Sequence, residues 1–277
     1  MYISFIGGGS RLEACCKFFE NRKGFTPSGF FCNPLSGCLK IANKYNGEIF
    51  TDTDSLCKEA DIIVIATDDD ILPSVINTLK RLHINGKIII SVAEGICSHD
   101  LYNGYDNTYV ALAAPTAFEN MNDNELKDGK AVCEGYGDKY DLLLSYFELA
   151  GMDVVTLTPA QLKLYRANMH LLKSGMLALT LTAAKLCNMI TGDEQHSISS
   201  AVRHSIKNAT MGKDAISEPY KTGKPGYVKE LIEIFENNGI DSIAQLYGSV
   251  AKILIENSDM EYDVADDIYQ MIRMINR

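Results

Sequence analysis

The chain has 277 residues, of which 46% are hydrophobic and 22% are charged, and its formal net charge at pH 7 is −10. This composition indicates a soluble protein with a substantial core, and the acidic balance argues against nucleic acid or an anionic membrane as a partner, because both attract basic surfaces. The eight cysteines include no C-x-x-C pair and the histidines form no zinc-binding pattern, so we expect reduced thiols, a cytoplasmic protein and no metal site.

The first element is a short apolar run, residues 2–6, that stops at three glycines and continues into a helix-compatible segment. A strand that turns through glycine into a helix leaves backbone N–H groups and the positive end of the helix dipole facing outward, which suits a dinucleotide pyrophosphate. In the G-x-G-x-x-G pattern, Leu12 occupies the position of the third glycine. A plain strand-to-helix turn is the alternative interpretation.

Strand and helix patterns then alternate as far as residue 157. This rhythm predicts an α/β fold with a doubly wound, Rossmann-type sheet. The further strands are predicted at 28–33, 48–50, 61–67, 87–91, 108–113, 130–134 and 152–157, and the helices between them at 36–45, 54–60, 71–83 and 139–150.

After residue 158 only helical patterns remain, at 160–186, 194–211, 227–237, 242–256 and 262–275. We therefore predict a dinucleotide-binding domain at 1–158 and an all-α substrate and dimerisation domain at 159–277. From residue 167 the helix 160–186 is apolar on nearly every face, which is typical of burial in a domain core or between subunits. Because few other helices are available to cover it, we expect a homodimer. We do not expect this helix to span a membrane, because the apolar segment between Lys173 and Lys185 is shorter than the ~20 residues that a bilayer requires.

Cofactor contacts are predicted where strands end, because open α/β sheets bind ligands beyond the carboxyl ends of their strands. Asn33 follows the second strand, 24 positions after Gly9, near the ~20-residue offset of the ribose-binding side chain. Asp69 and Asp70 are expected to cap the next helix. The predicted cofactor-binding residues are Gly7, Gly8, Gly9, Ser10, Arg11, Asn33, Ala66 and Thr67.

Three polar residues spaced by four, Arg166, His170 and Ser174, lie on one stripe of the long apolar helix. Polar groups there are costly unless they face a cavity or find partners. One interpretation makes His170 and Ser174 catalytic, with His170 donating a proton or orienting substrate and Ser174 hydrogen-bonding it, in a cleft between the domains. In the alternative interpretation, Arg166 extends to solvent, and His170 and Ser174 form hydrogen bonds with backbone carbonyl groups. Glu94 is either near the nicotinamide or a loop charge.

The chain resembles the pyrroline-5-carboxylate reductase group of the 6-phosphogluconate-dehydrogenase-like superfamily over about residues 1–256. The resemblance implies a nicotinamide-dependent reductase that acts on a C=N or C=O bond and is dimeric through its helical domain. The segments that carry it are 6–9, Asn33, 60–66, 68–71, 91–95, 114–116, 174–176 and 217–222, the last being similar to the family's Ser-Pro-Gly-Gly-Thr-Thr turn.

Two departures from the family pattern bear on the ligands. Pro34 stands where the family often carries an arginine, so the cofactor is NADP or NAD, with Arg11 or Lys40 as candidate substitutes for that charge. Tyr220 and Lys221 replace the Gly-Gly of the turn, and Lys224 follows; they indicate a more cationic pocket or a solvated loop. The predicted function is an NAD(P)-dependent oxidoreductase acting on a small acidic metabolite. The alternative is a non-catalytic dinucleotide-binding sensor or assembly protein.

Overall fold

The computed structural model describes residues 1–116, 118–192, 198–209, 211–212, 216, 220, 225–258 and 260–275. The predicted turn at 217–222, apart from Tyr220, lies outside the described residues, as do Lys221 and Lys224. The chain divides into two compact units, Met1–Gly175 and Met176–Arg277.

The first unit is built on one eight-stranded sheet with strand order β3-β2-β1-β4-β5-β6-β7-β8. All neighbouring strands are parallel except β6 and β7, which are antiparallel. The strands are β1 Tyr2–Gly7, β2 Thr26–Phe31, β3 Glu48–Ile49, β4 Ile62–Ala66, β5 Ile88–Ser91, β6 Thr108–Ala113, β7 Ala131–Tyr136 and β8 Val154–Thr156.

Helices cover both faces of this sheet, which explains why all five residues of β4 are buried. One core cluster packs Phe5 and Phe30 with α1, and the other packs Ile63 and Ile65 on the opposite face. The helices of this unit are α1 Gly9–Phe19, α2 Ser36–Lys44, α3 Thr53–Glu59, α4 Leu72–Arg81, α5 Asp123–Asp128, α6 Tyr140–Leu149 and the first part of α7 Pro159–Thr191, with short 3-10 turns at Ser98–Leu101 and Phe118–Asn120.

The predicted α/β fold is confirmed, and each of the predicted strands is present. Strand β2 begins before the predicted start because Pro27 is tolerated at an irregularity, where the register with β1 shifts between Ile3 and Ser4. The short helix α5 was not predicted. It is polar and starts with a capping box, in which the Asn122 side chain accepts from N–H groups of the first turn and the Glu125 carboxylate accepts from the Asn122 N–H.

The second unit contains the end of α7 and the helices α8 Ile198–Ala209, α9 Pro225–Asn237, α10 Asp241–Glu256 and α11 Tyr262–Ile275. Its described core joins α9, α10 and α11 through residues such as Val228, Ala251 and Ile268. The boundary near residue 158 stays a prediction, since the last strand ends at Thr156 and the compact units divide inside α7.

Helix α7 is apolar yet largely exposed in the single chain. Leu162 is its one buried residue, whereas Leu171 and Ile190 are 70% and 83% exposed. Burial of this helix in a domain core is therefore wrong, and burial between subunits stays a prediction. None of the described helices combines the length and apolarity that crossing a bilayer requires.

Candidate functional site

A cleft of about 590 Å³ lies at the carboxyl ends of β1, β2 and β4. Strand order reverses between β1 and β4, the place where open α/β sheets bind ligands. Five of the predicted cofactor-binding residues line the cleft, namely Gly7, Gly8, Gly9, Asn33 and Thr67.

The glycines that follow β1 have different structural roles. Gly7 has φ +146°, and a Cβ there would lie 2.1 Å from the Ala66 carbonyl oxygen, so no other residue fits. Gly9 has φ +67°, whereas Gly8 is extended with φ −154°. Gly8 supplies no side-chain cap to α1, and no acidic residue occupies the first turn. The first-turn N–H groups of Gly9 and Ser10 therefore point to a place where an anion can bind.

Thr67 contributes a buried hydroxyl to the cleft wall. Its Oγ1 has no hydrogen-bond partner among the described residues. A buried polar atom without a partner is costly, and a ligand that bonds it removes that cost. The unpartnered hydroxyl and the glycine turn together fit a dinucleotide.

Arg11 ties the start of α1 to the loop after β4. Its guanidinium donates to the Thr67 carbonyl oxygen at 2.6 Å and to Asp69 Oδ1 at 3.1 Å. Asp69 is thus engaged by Arg11, and α4 begins at Leu72 without a side-chain cap. The predicted capping by Asp69 and Asp70 is wrong.

The loop after β2 closes the other side of the cleft. Asn33 is exposed there, and the neighbouring Cys32 thiol donates to the Pro34 carbonyl oxygen at 3.1 Å. Burial, then a hydrogen bond with Cys38, raises the pKa of Cys32 to about 12, so the thiol stays protonated at neutral pH. The sequence analysis did not predict Cys32 as a cleft residue, because nothing in the strand pattern around it distinguishes a residue that lines the cleft from one in the core.

A second, smaller cavity of about 60 Å³ lies within the first unit, where the ends of β5 and β6 face α7. It brings together Glu94 from the loop after β5 and Arg166, His170 and Lys173 from α7. These residues are distant in sequence and no local pattern predicts that Lys173 joins them. Ser174 does not line this cavity.

Arg166 fixes the loop that carries Glu94. Its guanidinium donates to the carbonyl oxygens of Ala93, at 3.0 Å, and Ile96. Burial lowers the pKa of Arg166, while Cys97 and Glu94 act in the opposite direction. The interpretation in which Arg166 extends to solvent is therefore wrong.

His170 and Ser174 lie on the exposed surface of α7. Ser174 Oγ is 3.5 Å from His170 Nε2, and among the described residues neither side chain bonds a backbone carbonyl. The two side chains are therefore accessible, and their catalytic role stays a prediction.

Glu134 secures the far end of the same loop. It is 4% exposed on β7, and its carboxylate accepts from the Ser98 N–H at 2.7 Å and the Ser98 hydroxyl at 2.6 Å. A carboxylate inside an otherwise apolar strand pattern was the available signal for this residue, which the sequence analysis did not use.

Three side chains could offer ligand atoms to a metal ion, and these atoms lie within 4.8 Å of one another: the thiol of Cys97, the imidazole of His99 and the carboxylate of Asp100. Their proximity follows from the 3-10 turn at Ser98–Leu101, because Asp100 accepts from the Cys97 N–H at 2.8 Å. The absence of a metal site stays a prediction.

Comparison with known proteins places this fold among reductase structures. An imine reductase from Myxococcus stipitatus in complex with NADP⁺ has a TM-score of 0.65 at 12% identity, with 97% of this chain and 100% of that chain covered. Pyrroline carboxylate reductase from Plasmodium falciparum with NADP bound has a TM-score of 0.55 at 15% identity, with 99% and 97% covered. These likenesses show a shared fold.

The sequence comparisons are weaker. Pyrroline-5-carboxylate reductase from Arabidopsis thaliana is 24% identical over 109 residues, which span 38% of this chain and 39% of that reductase. The match thus covers less than half of the relative's length. The chain matches no protein-family model.

Proposed function

We propose that this protein is an NAD(P)-dependent oxidoreductase that reduces a C=N or C=O bond of a small acidic metabolite. The observation that carries the proposal is the cleft at the β1/β4 switch point, where a glycine turn and the unpartnered Thr67 hydroxyl fit a dinucleotide. The fold shared with structures of nicotinamide-dependent reductases supports it.

The cofactor, NADP or NAD, would be held along the carboxyl edge of the sheet. The N–H groups at the start of α1, those of Gly9 and Ser10, would bind the pyrophosphate, and Asn33 would contact the ribose. Thr67 and the backbone of Ala66 would contact the middle part of the bound dinucleotide. In its reduced form the bound cofactor would supply a hydride from its nicotinamide ring.

The small cavity would bind the substrate. Lys173 offers a cation for an acidic substrate, and Glu94 and His170 face the same space. In this proposal His170 donates the proton that the substrate heteroatom takes up after hydride transfer. Ser174 orients the His170 imidazole through the contact between Ser174 Oγ and His170 Nε2. Arg166 positions the wall of the cavity through Ala93 and Ile96.

The functional unit would be a homodimer. Large apolar side chains are exposed along α7, including Leu171, Leu177 and Leu181, which are 70%, 59% and 60% exposed. Exposed apolar side chains in this number on one helix are typical of an interaction site, and obligate interfaces bury upwards of ~2,000 Å².

The test is oxidation of NADPH or NADH, followed by absorbance, with a panel of cyclic imines and 2-oxo acids. We expect turnover of at least one acidic compound and, for His170→Ala, a kcat about 10²-fold lower. His204→Ala, which changes an exposed histidine of α8, is the control and should leave kcat unchanged. Dinucleotide binding without any turnover would instead favour the non-catalytic alternative, and unchanged kcat in His170→Ala would remove its proposed role.

A further inference from the structure

A third cavity, separate from the cofactor cleft and from the small cavity, lies at the end of the sheet opposite the cofactor cleft. It measures about 280 Å³ and lies where β5 and β6 begin and the antiparallel β7 ends. We call it the tyrosine pocket, because Tyr102, Tyr105, Tyr109 and Tyr136 are among its lining residues.

The aromatic wall of the tyrosine pocket is a connected set of three rings. Tyr109 is buried at the centre, with ring centroids 5.7 Å from Tyr102 and 5.4 Å from Tyr136. The two outer rings remain 52% and 41% exposed. The pocket thus presents the rings of Tyr102 and Tyr136 to solvent, backed by a ring fixed in the core.

Buried polar contacts hold the wall in place. The Tyr109 hydroxyl donates to the Tyr105 carbonyl oxygen at 2.8 Å and also bonds Asn103. Asn107, 6% exposed, donates to the Ile84 carbonyl oxygen at 2.8 Å and accepts from the Lys87 N–H at 2.9 Å. This loop is therefore organised before any ligand arrives, which lowers the entropy that binding costs.

The charged side chains that line the tyrosine pocket are two carboxylates and two ammonium groups, and in the described part of the chain only the ammonium groups have hydrogen-bond partners. Asp106 and Asp138 line it, and neither forms an ion pair within the part of the chain that the structure describes. The Lys87 ammonium is bound by the carbonyl oxygens of Lys58 and Ala60 at 3.0 and 2.6 Å. Lys139 at the rim donates to the Gly86 carbonyl oxygen.

We propose that the tyrosine pocket binds a small organic ammonium ion, held over the Tyr102 and Tyr136 rings and attracted by Asp106 and Asp138. Aromatic faces attract cations within about 6 Å of the ring centroid, with roughly 0.5 to 2 kcal/mol gained depending on desolvation. The cavity corresponds to roughly nine water volumes of ~30 Å³, room for an ion of the size of choline.

The test is calorimetric titration of the full chain, without dinucleotide, with choline and with its neutral isostere 3,3-dimethylbutan-1-ol. We expect choline to bind at one site and the alcohol to bind at least about tenfold more weakly. In the double variant Tyr102→Leu/Tyr136→Leu, choline affinity should fall about fivefold or more. Tyr2→Leu, which changes an exposed tyrosine of β1, should not alter it.

Absence of choline binding, equal binding of the alcohol, or unchanged affinity in the double variant would each overturn the proposal. If the tyrosine double variant does not fold, the double variant Asp106→Asn/Asp138→Asn tests the proposal instead. Both carboxylates are exposed, so these substitutions should leave the fold intact. The affinity of this variant for choline should also fall. None of these results depends on whether the chain binds a dinucleotide or reduces a substrate.

Discussion

The Arg166 guanidinium donates a hydrogen bond of 3.0 Å to the carbonyl oxygen of Ala93. Through this bond and the one to Ile96, the first part of α7 fixes the loop after β5, which carries Glu94 into the small cavity. Arg166 and His170 thus lie on one helical stripe and differ in role: the first holds the wall, and the second faces the space.

Arg166→Met should destabilise the protein by about 2 kcal/mol, because the carbonyl groups of Ala93 and Ile96 lose their charged donor. Urea unfolding measures this difference. Lys163→Met, an exposed change on the preceding turn of α7, is the control and should stay within about 0.5 kcal/mol of the wild type. Equal stability of the two variants would show that the carbonyl contacts contribute nothing.

Gly7→Ala should destabilise the fold severely, by about 4 kcal/mol or more, since its Cβ would overlap the Ala66 carbonyl group. Gly8→Ala is the matched control, because Gly8 is extended and its Cβ would make only ordinary contacts of 3.6 Å and beyond. Thermal unfolding of both variants checks the contrast. A Gly7→Ala protein as stable as Gly8→Ala would contradict this account of the turn.

Stability should fall as pH rises above about 9. Burial raises the pKa of Cys57 from 9.0 to about 12, so the folded state retains a proton that the unfolded state loses between these values. The free energy of unfolding is therefore unaffected by this group below pH 9 and decreases by about 1 kcal/mol per pH unit above it. Urea unfolding at pH 8 and pH 10.5 measures the loss. Cys57→Ala should show a smaller loss, and an identical one would exclude this thiol as the cause.

Light scattering at micromolar concentration should show a homodimer. Leu177→Asp should shift it to monomer, because a carboxylate on the exposed apolar surface of α7 would have to be desolvated on association. Leu142→Asp, which changes an exposed leucine on α6, should remain dimeric. A monomeric wild-type protein would refute the proposed assembly.

The sheet was predictable because its signals are local. The run from Ile62 to Ala66 is apolar without interruption, and the pattern gave the bounds of β6, Thr108–Ala113, without error. Pro27 delayed the predicted start of β2, since the irregularity that accommodates it depends on pairing with β1. Helix α5 is too short for an apolar period, although its capping box at Asn122 and Glu125 is visible in the sequence.

The candidate site was only partly predictable. The glycine turn and Thr67 follow from strand ends, which a sequence pattern locates. The contact of Arg166 with Ala93 spans 73 positions and the contact of Ser98 with Glu134 spans 36. Such contacts depend on how α7 and β7 pack, and no spacing rule for one helix or strand contains that information.

Calorimetric titration with NADPH and with NADH tests the central claim most directly. We predict one dinucleotide per chain for the wild-type protein. In Gly8→Val the branched side chain enters the cleft between Cys32 and Gly37, so binding should be lost while the free energy of unfolding changes by only about 1 kcal/mol. A wild-type protein that binds neither dinucleotide, or a folded Gly8→Val protein that binds as tightly as the wild type, would contradict the account.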